Sequence, residues 1–141
     1  MKTEERQQMS STKMLMTLHW KAPDELKELV DKSNGLYCPV FGGGKQALDA
    51  LGDEWMSSHC IPDDERKDNI SHLNQQLNEM TSLYLIYKNL GLLPCTPANI
   101  GHVHYRRYFT REDLADIDTA DGIIATPVSL GVFGFHCSLE K

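Results

Sequence analysis

Short apolar runs alternate with helix-type segments along the first third of this chain, and this order restricts the fold more than any other feature. Lys13 to Leu18 is an apolar run of strand length. Pro23 begins a predicted helix that continues to Asp31 and is ended by Asn34-Gly35. Leu36 to Val40 is predicted as a second strand. A strand, a helix and a strand in this order predict a parallel pair of strands joined by a crossover helix.

The middle of the chain is predicted to contain a surface loop and a long helix. Gly52 to Asp68 mixes charges, proline and polar stretches without a clear period, which is typical of a long surface loop. Pro39 places the second strand towards a sheet edge, because proline has no amide to donate. Ser71 caps a predicted helix that runs to about Asn89 and is ended by Gly91. Its apolar stripe at helical spacing consists of Leu73, Leu77, Met80, Tyr84 and Tyr87. We expect both tyrosines in the core.

Three further elements are predicted in the last third of the chain. Asn99 to His104 is a strand, Thr110 with Asp113 is a capping box for a short helix, and Gly122 to Thr126 is another strand. The alternation predicts an α/β fold with a mainly parallel sheet and covering helices. In such a sheet, ligands bind beyond the carboxyl ends of the strands. No linker divides the chain, so we expect a flexible arm over residues 1–12 and a single domain over residues 13–141.

Charge and hydropathy exclude several classes of protein. The net charge is −6, whereas nucleic-acid binding draws on a broad basic surface. No apolar run approaches the roughly 20 residues of a membrane-spanning helix, and the polar N-terminus lacks a signal-peptide core. The four cysteines are too widely spaced for a CxxC unit and are expected as free thiols. These features predict a cytoplasmic protein without a membrane span or a nucleic-acid partner.

The densest concentration of cations and aromatic rings begins near the end of the strand Asn99 to His104. The segment from His102 to Phe109 reads His-Val-His-Tyr-Arg-Arg-Tyr-Phe. Arginine presents a planar fork of donors that matches phosphate oxygens, and aromatic faces stack on a base or a sugar. The segment therefore indicates a ligand that contains a diphosphate. Spacing alone also allows a surface arginine pair with tyrosines packed into the core.

Three other motifs have both a binding interpretation and a simpler one. Gly42-Gly43-Gly44-Lys45 would wrap a phosphate with backbone amides or form a flexible turn, since it lacks the P-loop spacing. His102 and His104 would share one strand face and bind a metal ion with a carboxylate, but no third ligand is evident. Asp116-Ile117-Asp118 is the only Asp-x-Asp in the chain, yet it lies within a predicted helix. We therefore expect hydrogen-bonded histidines and no metal site.

A wider set of residues carries a family resemblance. They are Ile100-Gly101, His104 to Phe109, Asp68 to Ser71, Asn74, Glu79, Thr81, Tyr84, Lys88 and Asn89, with weaker agreement at His19, Lys21, Tyr37, Pro39, Val40 and Asp121 to Ile124. With these residues in this order, the chain resembles a family of bacterial capsule and exopolysaccharide proteins, catalogued as a domain of unknown function and considered glycosyltransferase-like. The resemblance covers about residues 13–127 and only the front part of the family domain. It implies the nucleotide-binding half of a nucleotide-sugar transferase, of GT-A or Rossmann-like type.

The resemblance also implies a site. The ligand-binding residues would be His19, Lys21, Asp68, Asn69, Asn74, Thr81, His104, Tyr105, Arg106, Arg107 and Tyr108. A carboxylate, Asp68 or Glu79, would assist the acceptor hydroxyl. Many nucleotide-sugar transferases hold a metal ion on an Asp-x-Asp motif at the place where this chain has His104 to Arg107. We therefore expect arginine charge to replace the cation, with neither a metal nor a cofactor.

Two functions from different classes follow from these observations. The first is a metal-independent glycosyltransferase of surface polysaccharide synthesis that uses a nucleotide-sugar donor. The second is a non-catalytic module that senses or sequesters a nucleotide-derived small molecule, which the absence of the family's rear half favours. Self-association through the apolar run Val128 to Phe135 would complete a half-site in either case. A chain that binds no ligand is a third interpretation.

Overall fold

The computed structural model describes residues 12–95 and 97–109, and its centre is a four-stranded sheet in which every pairing is parallel. The strands are β1 (Thr12–Leu18), β2 (Tyr37–Phe41), β3 (Ile61–Pro62) and β4 (Asn99–His104). Their order across the sheet is β3-β2-β1-β4. The predicted α/β class with a mainly parallel sheet is therefore confirmed, and the arrangement is Rossmann-like.

Helices connect the strands. They are α1 (Asp24–Lys32), α2 (Gly44–Ala50), α3 (Glu54–His59), α4 (Asn74–Leu77) and α5 (Met80–Lys88), with 3-10 turns at Ser71–Leu73 and Leu90–Leu92. α1 has nearly its predicted bounds: Pro23 is its N-cap residue, and Asn34 and Gly35 turn the chain with φ of 52° and 78°. No helix in the described part of the chain is long and apolar enough to cross a bilayer.

Both faces of the sheet are covered, which explains why β1 is apolar throughout. On one face, Met16 of β1 packs in a cluster with Leu26 of α1 and Met56 of α3. On the other face, Leu15 packs in a cluster with Leu85 of α5. All five side chains are almost completely buried. A strand with neighbours on both faces of the sheet must be apolar on both sides, which is the pattern that the first run of the sequence shows.

β2 is an interior strand, although its proline predicts a position at the edge. β3 pairs with β2 only at Val40 and Phe41. Successive residues of a strand direct their backbone groups alternately to the two sides, and Phe41 O accepts from Asp63 N on the β3 side. Pro39, two residues earlier, faces the same side at a point where β3 has not begun. The prediction of an edge strand was wrong because β3 is too short to reach Pro39, so no acceptor on β3 is left without a donor by the missing proline amide.

The segment Gly52 to Asp68 is not the loose surface loop that its composition predicts, because it contains α3 and β3. Asp53 begins α3: its carboxylate accepts from Lys27 Nζ at 2.8 Å and from Met56 N at 3.0 Å. The hydrogen bond from Lys27, followed by that from the Met56 amide, lowers the pKa of the Asp53 carboxyl. An aspartate at the N-cap was the signal available in the sequence.

The long helix predicted from Ser71 to Asn89 is broken at Asn78, where φ is 46° and ψ is −121°. The break separates α4 from α5 and changes which side chains face the core. Tyr87 is 75% exposed, and the inward residues of α5 are Thr81, Ser82, Leu85 and Ile86. The predicted apolar stripe was wrong because it assumed one continuous helical phase across the break.

Several predictions lie outside the described residues. They are the capping box at Thr110 and Asp113, the strand Gly122 to Thr126, the Asp-x-Asp at Asp116 to Asp118, the apolar run Val128 to Phe135, Cys137, and residues 1–11 of the expected arm. Thr12, the last residue of that arm, is buried and belongs to β1.

Candidate functional site

The parallel strands bring the loops that follow them to one edge of the sheet, which we call the carboxyl edge. His19 to Lys21 follow β1, Gly42 to Gly44 follow β2, and Asp63 follows β3. His104 ends β4 and is followed directly by Tyr105 to Arg107. Loops after parallel strands meet at the place where α/β proteins bind ligands. The carboxyl edge is therefore where the chemistry of this domain has to be sought.

Two histidines and a glutamate converge at the carboxyl edge. One ring nitrogen of His19, one of His104 and a carboxylate oxygen of Glu79 lie within 4.8 Å of one another. His104 Nε2 is 3.4 Å from Glu79 Oε1, and His104 Nδ1 accepts from Arg106 N at 3.2 Å. Burial lowers the pKa of the His104 imidazole, although the Glu79 carboxylate opposes this shift. We call these three residues the His-Glu-His cluster.

His102 does not join His104 in a metal pair of the kind considered from the sequence. Its Nε2 is hydrogen-bonded to the hydroxyl of Thr17 on β1, with 2.9 Å between the atoms. Burial lowers the pKa of the His102 ring. The neighbours that His104 gains are His19 and Glu79, which are 85 and 25 positions away in the chain. This grouping cannot be predicted from sequence spacing, because only the parallel pairing of β1 with β4 brings His19 to His104.

Exposed cations stand next to the cluster. Arg106 Nε donates to the hydroxyl of Tyr105 at 3.0 Å, and its guanidinium carbon lies 5.2 Å from the centre of that ring. Arg106, Arg107 and Lys21 are all exposed. Among residues 12–95 and 97–109, no carboxylate forms an ion pair with any of the three. Tyr105 and Tyr108 are partly buried against the core, so the segment has the exposed arginine pair and the inward tyrosines of the simpler interpretation. Binding of a diphosphate by this segment stays a prediction.

The glycine loop is occupied by carboxylates of the chain itself. Gly43 N and Gly44 N donate to Asp63 Oδ1 at 3.2 and 2.8 Å, and Lys45 N donates to Asp64 Oδ1 at 2.8 Å. These are the backbone amides at the start of α2 that a phosphate would need. These contacts favour the turn interpretation of Gly42 to Lys45 over the phosphate-loop interpretation, because two aspartates already take the place of the anion.

Asp63 is the functional-looking residue that sequence reasoning missed. It is 0% exposed, and besides the glycine amides it accepts from Ser71 Oγ at 2.5 Å and from Thr81 Oγ1 at 2.5 Å. Asn74 Nδ2 lies 3.5 Å from its Oδ2 and donates to Thr81 Oγ1 at 2.8 Å. Asn74 and Thr81, expected to bind the ligand, thus hold this buried carboxylate. Two adjacent aspartates after a short apolar pair were the signal in the sequence.

Asp68 and Asn69 also make internal contacts. The Tyr84 hydroxyl donates to Asp68 Oδ1 at 3.0 Å, and this hydrogen bond raises the pKa of the tyrosine. Asn69 accepts from Ser71 N at 3.0 Å and donates to Arg66 O at 2.6 Å, which shapes the turn before α4. Of the two carboxylates expected to assist an acceptor, Glu79 contacts the carboxyl edge, whereas Asp68 faces α5.

A separate concavity of about 390 Å³ lies near the start of β2, away from the carboxyl edge. Its lining includes Val30, Gly35, Pro39, Ile61 and Leu93, together with the carboxylate of Asp31 and the imidazole of His59. His59 Nε2 is already 3.3 Å from Asp31. The absence of lysine and arginine from this lining makes it a poor site for a diphosphate.

Comparison with known proteins identifies the family of this chain. No curated protein and no solved structure gives a significant match. Residues 13–128 match the family model described as Domain of unknown function (DUF4422). That match spans most of the chain and includes the His-Glu-His cluster and the four described strands, apart from Thr12 at the start of β1. The chain therefore belongs to the DUF4422 family.

Proposed function

We propose that this domain binds a nucleotide-sugar or nucleoside diphosphate at the carboxyl edge and takes part in sugar transfer for a surface polysaccharide. One observation carries the proposal: Arg106, Arg107 and Lys21 form no ion pair with a described carboxylate, although the chain has a net charge of −6. Three exposed cations grouped at a ligand-binding edge, with no described carboxylate to neutralise them, favour an anionic ligand.

Arginine chemistry narrows that ligand to a phosphate-containing molecule. The guanidinium of Arg106 is oriented by its hydrogen bond to Tyr105, so part of its conformational freedom is already lost before a ligand arrives. A diphosphate offers several oxygens to two planar forks of donors. The indole of Trp20, which is 63% exposed beside Lys21, is an aromatic face on which a base or sugar can stack.

The same groups suit the leaving group of a sugar transfer. When the bond between sugar and diphosphate breaks, negative charge accumulates on the diphosphate oxygens. Fixed positive charges aimed at those oxygens stabilise that charge more than they stabilise the substrate. Arg106 and Arg107 supply such charges in this proposal. The family resemblance seen in the sequence supports sugar transfer over other reactions of nucleoside diphosphates.

The test is thermal unfolding of the full chain with a panel of nucleotides and nucleotide-sugars. A ligand at about 100 times its Kd adds about 2.7 kcal/mol to the free energy of unfolding. For a domain of this size, that is a rise in Tm of roughly 5–10 °C. Arg106→Ala and Arg107→Ala should each reduce the rise, because a charge-assisted hydrogen bond contributes about 1.5–3 kcal/mol.

Lys32→Ala is the matched control. Lys32 is exposed in the last turn of α1, before β2 begins, and pairs with Glu28, so its loss changes the net charge equally without touching the carboxyl edge. An equal loss of affinity in all three variants would show a general charge effect and contradict the proposed site. Release of nucleoside diphosphate from a bound nucleotide-sugar would indicate turnover, whereas unchanged ligand would identify a binding module.

A further inference from the structure

Three side chains that are distant in the sequence offer metal ligands at the carboxyl edge. The cluster formed by His19, Glu79 and His104 has one nitrogen or oxygen atom from each residue within 4.8 Å of the others. His104 Nε2 and Glu79 Oε1 are 3.4 Å apart. Two ligand atoms of a tetrahedral zinc ion, each about 2.1 Å from the metal, lie about 3.4 Å apart. This pair therefore has the spacing of two ligands around one metal ion.

His19 supplies an independent observation. Its Nε2 is buried and has no hydrogen-bond partner among the residues that the structure describes. Buried polar atoms are nearly always paired, because burial removes their hydrogen bonds to water. The edge of the ring formed by Cε1 and Nδ1 is closely packed: a Cβ atom on Gly42 would lie 2.6 Å from His19 Cε1 and 2.8 Å from Nδ1. The glycine thus allows the ring to lie where it does, and Nε2 is the nitrogen left for a ligand.

We propose that His19 Nε2, His104 Nε2 and a carboxylate oxygen of Glu79 bind one divalent transition-metal ion. Two imidazoles and one carboxylate form a ligand set that suits Zn²⁺ or Fe²⁺, whereas Mg²⁺ and Ca²⁺ prefer oxygen ligands alone. Three protein ligands leave at least one coordination position open. The metal site stands on this geometry without any reference to a nucleotide.

The open position gives the metal ion a role that rests on the proposed function. Because Arg106 follows His104 by two residues, the ion lies next to the cations assigned to the diphosphate. A phosphate oxygen is a hard ligand that completes such a coordination sphere. The arginines then act together with a metal ion instead of replacing it, and Glu79 is a metal ligand instead of the general base expected from the sequence.

Metal binding also moves a proton within His104. Without the ion, the Arg106 amide donates to Nδ1, so the ring proton is on Nε2 and faces Glu79. An ion on Nε2 takes the place of that proton, the ring becomes protonated at Nδ1, and the contact with Arg106 N is given up. The ¹⁵N resonances of the ring report this change of tautomer without any assay of activity.

The experiment uses the full chain, freed of metal with a chelator and titrated with Zn²⁺ alone. We expect one high-affinity ion per chain by calorimetry. His19→Gln, Glu79→Gln and His104→Gln should each weaken Zn²⁺ binding by at least about 100-fold, since second-shell changes alone cost 10- to 100-fold. His72→Gln is the matched control, because His72 is exposed on the 3-10 turn before α4 and lies outside the cluster.

Two spectroscopic measurements on the unmutated chain keep the test decisive if a variant does not fold. Cobalt(II) bound by nitrogen and oxygen gives visible d–d bands without the near-ultraviolet thiolate band that cysteine ligands would add. The His104 ¹⁵N shifts should change from the Nε2-protonated to the Nδ1-protonated pattern on addition of Zn²⁺. Failure to bind one Zn²⁺ per chain, a thiolate band, or an unchanged His104 tautomer would overturn the proposal. None of these results depends on nucleotide binding.

Discussion

The buried carboxylate of Asp63 holds the glycine loop and the turns before α5 together, and its removal should destabilise the domain strongly. In Asp63→Ala, the buried Gly44 amide and the Thr81 hydroxyl both lose their acceptor. Each buried donor left without a partner costs about 1–3 kcal/mol. The Thr81 hydroxyl has an alternative acceptor in Asn78 O at 3.1 Å, which reduces its share. We therefore expect the free energy of unfolding to fall by about 3 kcal/mol.

Urea denaturation followed by far-ultraviolet circular dichroism measures this loss, and the midpoint of thermal unfolding should fall by about 6–12 °C. Asp64→Ala is the matched control, since the neighbouring Asp64 is exposed and, among the residues that the structure describes, accepts only from Lys45 N at the start of α2. The free energy of unfolding of Asp64→Ala should fall by at most about 1 kcal/mol, the usual contribution of a helix cap. Equal losses at the two positions would refute the assignment of Asp63 as the central acceptor.

Three further predictions concern single residues. Hydrogen bonds from Lys27 and the start of α3 lower the pKa of Asp53. The contribution of Asp53 to the free energy of unfolding is therefore complete above the ordinary pKa of 3.8 and is lost as the pH falls through the folded-state pKa. The difference in unfolding free energy between the wild type and Asp53→Asn should therefore be constant above about pH 5 and shrink below about pH 4; a difference that grows on acidification would contradict this. Asn78 has φ of 46°, so Asn78→Gly should be more stable than Asn78→Ala by about 1–2 kcal/mol in urea denaturation, and the reverse order would exclude backbone strain there. Burial raises the pKa of the Cys60 thiol to about 12, so iodoacetamide at pH 8 should label the half-buried Cys95 before Cys60, as read by peptide mass spectrometry, and faster labelling of Cys60 would show that α3 opens readily.

Most of the parallel sheet follows from the sequence because its signals are local. The apolar run of β1 has the length of a strand, Pro23 can begin a helix, and Asn34-Gly35 can adopt the positive φ angles that end it. Each of these properties depends on a few neighbouring residues. The position of His104 at the carboxyl end of β4 was predictable for the same reason, since the strand and the residues after it are contiguous.

The candidate site could be predicted only in part. The exposed Arg106 and Arg107 follow from their place after a strand, whereas the partners of Asn74 and Thr81 do not. In the sequence, Asn74 and Thr81 fit a ligand pocket as well as they fit a buried hydrogen-bond network. Which of the two they form depends on whether Asp63 is buried nearby, and burial is a property of the packed chain.

The sequence by itself determined the α/β class, the first crossover unit and the strand that leads into the arginines, because hydrophobic period and turn chemistry act over a few residues. The tertiary structure alone decided that Asp63 is an internal acceptor, that Asn78 interrupts the helix, and that His19, Glu79 and His104 meet. Residues up to 85 positions apart in the chain come into contact, because β1 pairs with β4 and α5 packs against the sheet. Contacts over such distances leave no periodic pattern in a single sequence, since they depend on which strands become neighbours.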